Sequence, residues 1–217
     1  MALQGTLLWL CSLAVLSSAA AQDRSSADNC NSDTQHLEDL SAALKVAVEC
    51  GENLLSAWSP VQTASLLLSM RNLTDTLHKH QLKECRSAEP QKCPEAEVPN
   101  NGGLACVTFA NKRYCKPLCN HGYDFAFLRR SRLFDECSEQ TGYKWQSQYI
   151  GGNKLAVCHE SRIQVSGAKT AYFPKDQDCL TTKGSSQLQS SVSEELSTEL
   201  QLQGVQGEPQ YACLVCG

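Results

Sequence analysis

The residues with the most chemical potential in this chain are its cysteines and its clustered bases. Thirteen cysteines stand among 217 residues, and six of them (Cys93, Cys106, Cys115, Cys119, Cys137 and Cys158) fall within 93–158. Cysteines bridge, bind metal or react as thiolates. Cys213-Leu214-Val215-Cys216 has the C-x-x-C spacing of redox dithiols. It lies at the very end of the chain, without the helix N-terminus in a βαβ unit that lowers a thiol pKa, so it reads as structural. No second C-x-x-C and no spaced His pair completes a zinc set. The imidazoles of His78-Lys79-His80, two positions apart on a helix, point away from one another and read as solvent-facing. Metal and cofactor are therefore both expected to be absent.

The second cluster is basic. Arg129, Arg130 and Arg132, with Lys112, Arg113 and Lys116, put six cations on a short segment. Such side chains attract sulfated glycosaminoglycans or an acidic protein face. Arg129-Arg130-Ser131-Arg132 also matches the Arg-x-x-Arg pattern cut by secretory convertases, although the flanking cysteines would keep the halves joined. Lys112-Arg113, between Cys106 and Cys115, could serve as the exposed loop of a protease inhibitor. No Gly-x-Ser-x-Gly elbow, His-Glu-x-x-His helix, P-loop or dinucleotide fingerprint occurs, and no carboxylate pair stands out. The expectation is a protein that is not an enzyme.

These groups must be positioned in an oxidising compartment. Residues 1–21 read as a secretory signal peptide, with the apolar core Leu7–Leu16 running into Ser17-Ser18-Ala19-Ala20-Ala21. Cleavage there removes Cys11 and leaves an even twelve cysteines, which suits a disulfide framework. That core is shorter than the ~20 residues a membrane-spanning helix needs, and no later stretch is long and apolar enough to span. Asn72-Leu73-Thr74 is a glycosylation acceptor. The net charge is −4, divided as −3 over 22–92, +2 over 93–158 and −3 over 159–217. That is no nucleic-acid footprint.

Two helices are expected in 22–92. Ser32-Asp33-Thr34-Gln35 fits a capping box, and Leu37, Leu40, Leu44, Ala47 and Val48 follow at helical steps, with Gly51 as the stop. Ser59-Pro60-Val61-Gln62 opens the second helix, with Leu66, Met70, Leu73 and Leu77 along one face. The pair reads as an antiparallel hairpin whose open end Cys30 and Cys85 could clip, and Arg86–Lys92 reads as a linker. Helical periodicity stops at Cys93. Short aromatic and β-branched runs separated by Pro, Asn and Gly then indicate strands, with a disulfide-closed hairpin between Cys106 and Cys115.

Residues 93–158 resemble a sushi, or complement control protein, module. The likeness rests on Cys93-Pro94, Asn101-Gly102, Cys119 followed by Gly122-Tyr123, Cys137, Trp145 and Cys158. It implies Cys93–Cys137 and Cys119–Cys158 bridges around a packed Trp145, and a binding role without naming the ligand. Cys106 and Cys115, additional to the pattern, pair with each other in this reading.

Residues 159–181 are expected to extend the module with short strands at 163–165 and 171–173. Residues 182–217 read as a Ser/Gln/Glu-rich, largely disordered tail ending in a cysteine pair, although Leu188, Val192, Leu196 and Leu200 allow a weak helix. With three cysteines before the module and three after it, the simplest closure is a bridge between the helical segment and the C-terminus. A disulfide-linked dimer is the other way to balance the count. The expected fold is thus disulfide-rich α+β: a helical hairpin, a small sushi-like all-β module and a partly disordered tail. The expected function is a secreted extracellular binding or adhesion protein whose partner is an extracellular protein or a sulfated glycosaminoglycan. A cytokine-like ligand using the helical hairpin, or a protease inhibitor, is the alternative.

Overall fold

A computed structural model of the chain describes residues 34–51, 56–146 and 151–217. The expected signal peptide, Cys11, Cys30 and the start of the first capping box at Ser32-Asp33 lie outside them. The chain divides into two units, 1–63 and 64–217. The first contains α1 (Thr34–Glu49). Its apolar positions Leu37, Leu40 and Val48 are exposed.

Helix α2 (Pro60–Cys85) begins in the first unit and runs into the second. Its start is a reciprocal capping box. The Ser59 N–H donates to Gln62 Oε1 at 2.9 Å, and the Gln62 N–H donates to Ser59 Oγ at 3.3 Å. No residue along it is buried, and Leu67, Leu68 and Leu77 stand in solvent.

The second unit is built on β1 (Gly102–Phe109) and β2 (Lys112–Cys119), an antiparallel hairpin in full register from Gly102↔Cys119 to Phe109↔Lys112. Its turn is closed by Ala110 and Asn111, both at positive φ (45° and 61°), the left-handed pair that a tight hairpin needs. The short strand β4 (Asp135–Cys137) pairs with β2, and the C-terminal strand β6 (Gln210–Cys216) pairs with β1, giving the order β4-β2-β1-β6. Strands β3 (Tyr123–Phe125) and β5 (Cys158–Glu160) form a separate two-stranded sheet.

Every residue of β1 is buried, because both faces of the sheet are covered. Ala105, Val107 and Phe109 face one side with Tyr114, Leu118 and Leu214. That side is closed by Leu196 and Leu200 of α4 (Ser186–Leu202). Leu104 and Cys106 face the other side with Cys115, Cys137, Leu155 and Trp145. A Cβ on Gly102 would sit 2.2 Å from the Leu118 carbonyl and 3.1 Å from Cys158 Sγ, so only glycine fits there.

The C-terminal segment differs from its expected disorder. Ser185 caps α4 by accepting from the Leu188 N–H, and Asp178 caps the short α3 (Cys179–Lys183) through the Thr181 N–H. Leu196 and Leu200 then supply the narrow apolar stripe that buries α4 on the sheet. Much of the Ser/Gln/Glu composition that suggests disorder is the solvent face of this helix, while Glu199 turns inward. No strand forms at 163–165, and the one expected at 171–173 is reduced to an isolated bridge between Tyr172 and Cys119. The Val165 and Ser166 amides donate to the Asp124 carboxylate instead of to a neighbouring strand, and 169–171 form a 3-10 turn. Nor is 86–92 a free linker. Ala88 and Pro90 are buried, and Thr108 Oγ1 donates to the Glu89 carbonyl at 2.7 Å.

Five disulfides staple the second unit: Cys85–Cys213, Cys93–Cys137, Cys106–Cys115, Cys119–Cys158 and Cys179–Cys216. Cys85 is bonded to Cys213, so the expected Cys30–Cys85 clip does not form. Among the described residues Cys50 is the free cysteine, and it is exposed. Five bridges hold a core of modest size, each contributing about 2–4 kcal/mol by restricting the unfolded chain.

Candidate functional site

The six expected basic residues do not form a patch. Alternation along β2 sends Lys116 under α4, where it is 1% exposed. There its Nζ donates to both Glu199 oxygens, at 2.8 and 2.7 Å, with Glu195 at 3.8 Å. Thr170 Oγ1 donates to the same Glu199 carboxylate. Burial pushes the Glu195 carboxyl up, with Lys116 opposing that shift and Glu199 adding to it.

Arg129 is buried, donating to the Leu155 carbonyl and to Asp135 Oδ2, both at 2.9 Å. Arg132 pairs with Oδ1 of the same buried aspartate, and Lys112 lies 3.6 Å from Glu136. Of the six, only Arg130 is exposed with no carboxylate at ion-pair distance among the described residues. Lys116, Arg129 and Arg132 thus meet carboxylates inside the fold, which leaves Arg130 and the half-buried Lys112 as the outward-facing members of the six. The buried Arg129 and the ion-paired Arg132 likewise leave the Arg-x-x-Arg segment tied into the fold rather than presented as a cleavage loop. His78 is not solvent-facing either: its Nδ1 lies 3.0 Å from the Cys216 carbonyl, where as N–H it donates.

Asn72 is exposed on α2. Cys213 and Cys216 bond to different partners, Cys85 and Cys179, so the C-x-x-C is not a dithiol pair. Among the described residues no group of three or more His, Cys, Asp or Glu is gathered as a metal set.

Arg113 points to the opposite face of β2 from Lys116 and is 5% exposed. Its Nη1 donates to Thr108 Oγ1 at 3.2 Å and to the Tyr211 carbonyl at 2.6 Å, and its Nη2 donates to Cys213 Sγ at 2.9 Å. Its burial keeps Arg113 from being presented to a protease, whereas Lys112 beside it stays half-buried near Glu136. Arg113 has no carboxylate within ion-pair distance among the described residues, and burial lowers its guanidinium to about 10, still charged at neutral pH.

Arg113 lines a cleft of about 490 Å³ between the 86–98 segment, the end of α2 and the disulfide-bearing face of the sheet. Leu82, Ala96, Val98, Leu104 and Val215 supply apolar wall. Trp145 closes one side, fixed by its Nε1–H donating to the Pro94 carbonyl at 2.7 Å. At the rim Arg86 and Glu95 pair at 3.5 Å and cancel in charge. The size falls within the roughly 300–1,000 Å³ of small-molecule sites. The sequence reading missed this cleft, although one signal was available: Arg113 and Cys115 share a strand face, so a bridged Cys115 carries Arg113 inward with it.

A second polar cluster holds the β3–β5 corner. The buried Asp124 accepts from the Tyr172 hydroxyl at 2.5 Å, from Ser166 Oγ at 2.8 Å and from the Phe125 amide at 2.9 Å. Burial alone would push this carboxyl up, but those hydrogen bonds hold it below the usual aspartate value. Burial, then the bond to Asp124, pushes the Tyr172 hydroxyl up to about 12.

No family model, no curated protein and no solved structure matches the chain. The geometry defines a disulfide-stapled α+β protein, and none of its described helices is long and apolar enough to cross a membrane.

Proposed function

We propose that the chain is a secreted, non-enzymatic binding protein of the extracellular space, in which the sushi-like module 93–158 is the recognition unit. The observation that supports this reading is the use made of the reactive groups. The cysteines of the second unit are locked in bridges, and Lys116, Arg129 and Asp124 are engaged in holding loops and helices. One surface left open is the cleft walled by Trp145 and by the Cys93–Cys137 and Cys106–Cys115 bridges. An oxidising compartment suits that bridge density. The partner in this reading is an extracellular protein.

Expression of the full chain in animal cells tests it. The protein is expected in the medium, with a mature terminus at Gln22, a glycan on Asn72 and saturable, reduction-sensitive binding to cell surfaces. Retention inside the cell, or binding that survives full reduction, overturns the reading.

A second reading takes α1 and α2 as a helical hairpin that acts as the receptor face of a cytokine-like ligand. The exposed Leu67, Leu68 and Leu77 favour it. Loss of cell binding on replacing those leucines with Ser, while cleft substitutions leave it intact, would select this second reading.

A further inference from the structure

We propose that the cleft lined by Arg113 and Trp145 is a binding site for a small organic monocarboxylate with an aliphatic body, with Arg113 as the anchor for the carboxylate. This goes beyond protein recognition and does not depend on it.

The argument starts from the donors. A guanidinium carries five N–H groups. Three are taken by Thr108 Oγ1, the Tyr211 carbonyl and Cys213 Sγ. The Nε–H and one hydrogen on Nη2 are left without an acceptor among the described residues. A carboxylate accepts two donors of one guanidinium as parallel charge-assisted bonds.

The charge points the same way. A buried cation is ordinarily paired with a carboxylate. In this protein Lys116 takes Glu199, and Arg129 takes Asp135. Arg113 alone of the three deeply buried cations has only neutral acceptors. The other charged residues lining the cleft, Arg86 and Glu95, neutralise each other, so the cleft carries one unbalanced positive charge.

The wall then selects the rest of the ligand. Leu82, Ala96, Val98, Leu104 and Val215 offer no polar side-chain atom, and Trp145 spends its N–H on Pro94. An aliphatic body gains by leaving water there, the more so with each CH₂ it buries. A polyanion gains nothing, since the site has one cation. Tying β6 to β1 does not account for the unused donors, because the bonds to Thr108, Tyr211 and Cys213 already do that.

The test uses the full, oxidised chain with ¹⁵N-labelled arginine, titrated with decanoate below its micelle concentration. Decanol supplies the body without the carboxylate, and acetate the carboxylate without the body. Decanoate is expected to move the Arg113 Nε–Hε signal saturably, while decanol and acetate leave it in place at the same concentrations. Arg113→Lys is expected to weaken decanoate binding at least ~tenfold, through the loss of the bidentate geometry. Leu82→Trp fills the cleft from a partly exposed helix position, and is expected to abolish the response while leaving the amide spectrum of the sheet unchanged. It keeps the test decisive should the Arg113 variant fail to fold. The absence of a saturable shift with decanoate overturns the proposal. So does an equal response to decanol or acetate, or a response that survives Leu82→Trp.

Discussion

Leu200→Ala puts the C-terminal segment to the sharpest test. Leu200 is 0% exposed and belongs to the cluster with Val107, Phe109, Leu118 and Leu214. Removing its isobutyl group from a fully enclosed site leaves a cavity between α4 and the sheet, at a cost of about 3 kcal/mol or more. Leu202, two residues on, is 82% exposed, and Leu202→Ala should fall within about 0.5 kcal/mol of the parent. Both variants keep the same composition and remove the same atoms, so the difference isolates burial. Urea unfolding with the disulfides intact reads it as a shift in midpoint at constant slope. Equal, small effects from the two substitutions would mean that 186–202 is not part of the core, and would refute the packing of α4.

Three further outcomes follow from the same structure. Lys116→Met strands the Glu199 carboxylate under α4 and should cost about 3 kcal/mol, most of it recovered in the Lys116→Met/Glu199→Leu pair, as a double-mutant cycle in urea would read. The folded Asp124 carboxyl sits below its unfolded value near ~3.9, so its contribution is full above about pH 4 and is lost as pH falls through the folded value. Amide exchange across β3–β5 should show that acid limb in the parent and lose it in Asp124→Asn. Cys50 is exposed and unbonded among the described residues, and the helix before it limits which cysteines of the same chain it could bond. From Thr34 to Cys50 the helix rises roughly 24 Å, whereas four residues extend at most ~14 Å and bridged Cα atoms lie within ~6.8 Å. Non-reducing electrophoresis of the secreted protein should therefore give a covalent dimer that Cys50→Ser abolishes, and an intrachain Cys30–Cys50 peptide would contradict a continuous α1.

Much of the local structure is legible in the sequence, because it rests on residues close together in the chain. The Ser59–Gln62 box needs only a three-residue spacing, and the β1–β2 hairpin needs only Val107-Thr108-Phe109 and a two-residue turn. What is not legible depends on partners far away. Lys116 reads as a free cation because Glu199 lies 83 residues on, and Arg129 because the Leu155 carbonyl that buries it lies 26 residues on, although its ion-pair partner Asp135 is only six residues away. The disordered reading of 182–209 has the same origin. Leu196 and Leu200 are too few to outweigh the Ser, Gln and Glu around them until the apolar face of β1 is known to lack a cover. The cleft needs both kinds of information: the strand alternation that turns Arg113 inward, and the distant β6, whose Tyr211 and Cys213 meet it there.

The central claim is that the last strand completes the sheet and is bolted there by two separate long-range bridges. Peptide mass spectrometry of the unreduced protein tests it most directly. The account predicts Cys85 linked to Cys213 and Cys179 linked to Cys216, alongside Cys93–Cys137, Cys106–Cys115 and Cys119–Cys158. A peptide carrying Cys213 bonded to Cys216, or Cys85 bonded to Cys30, would contradict it.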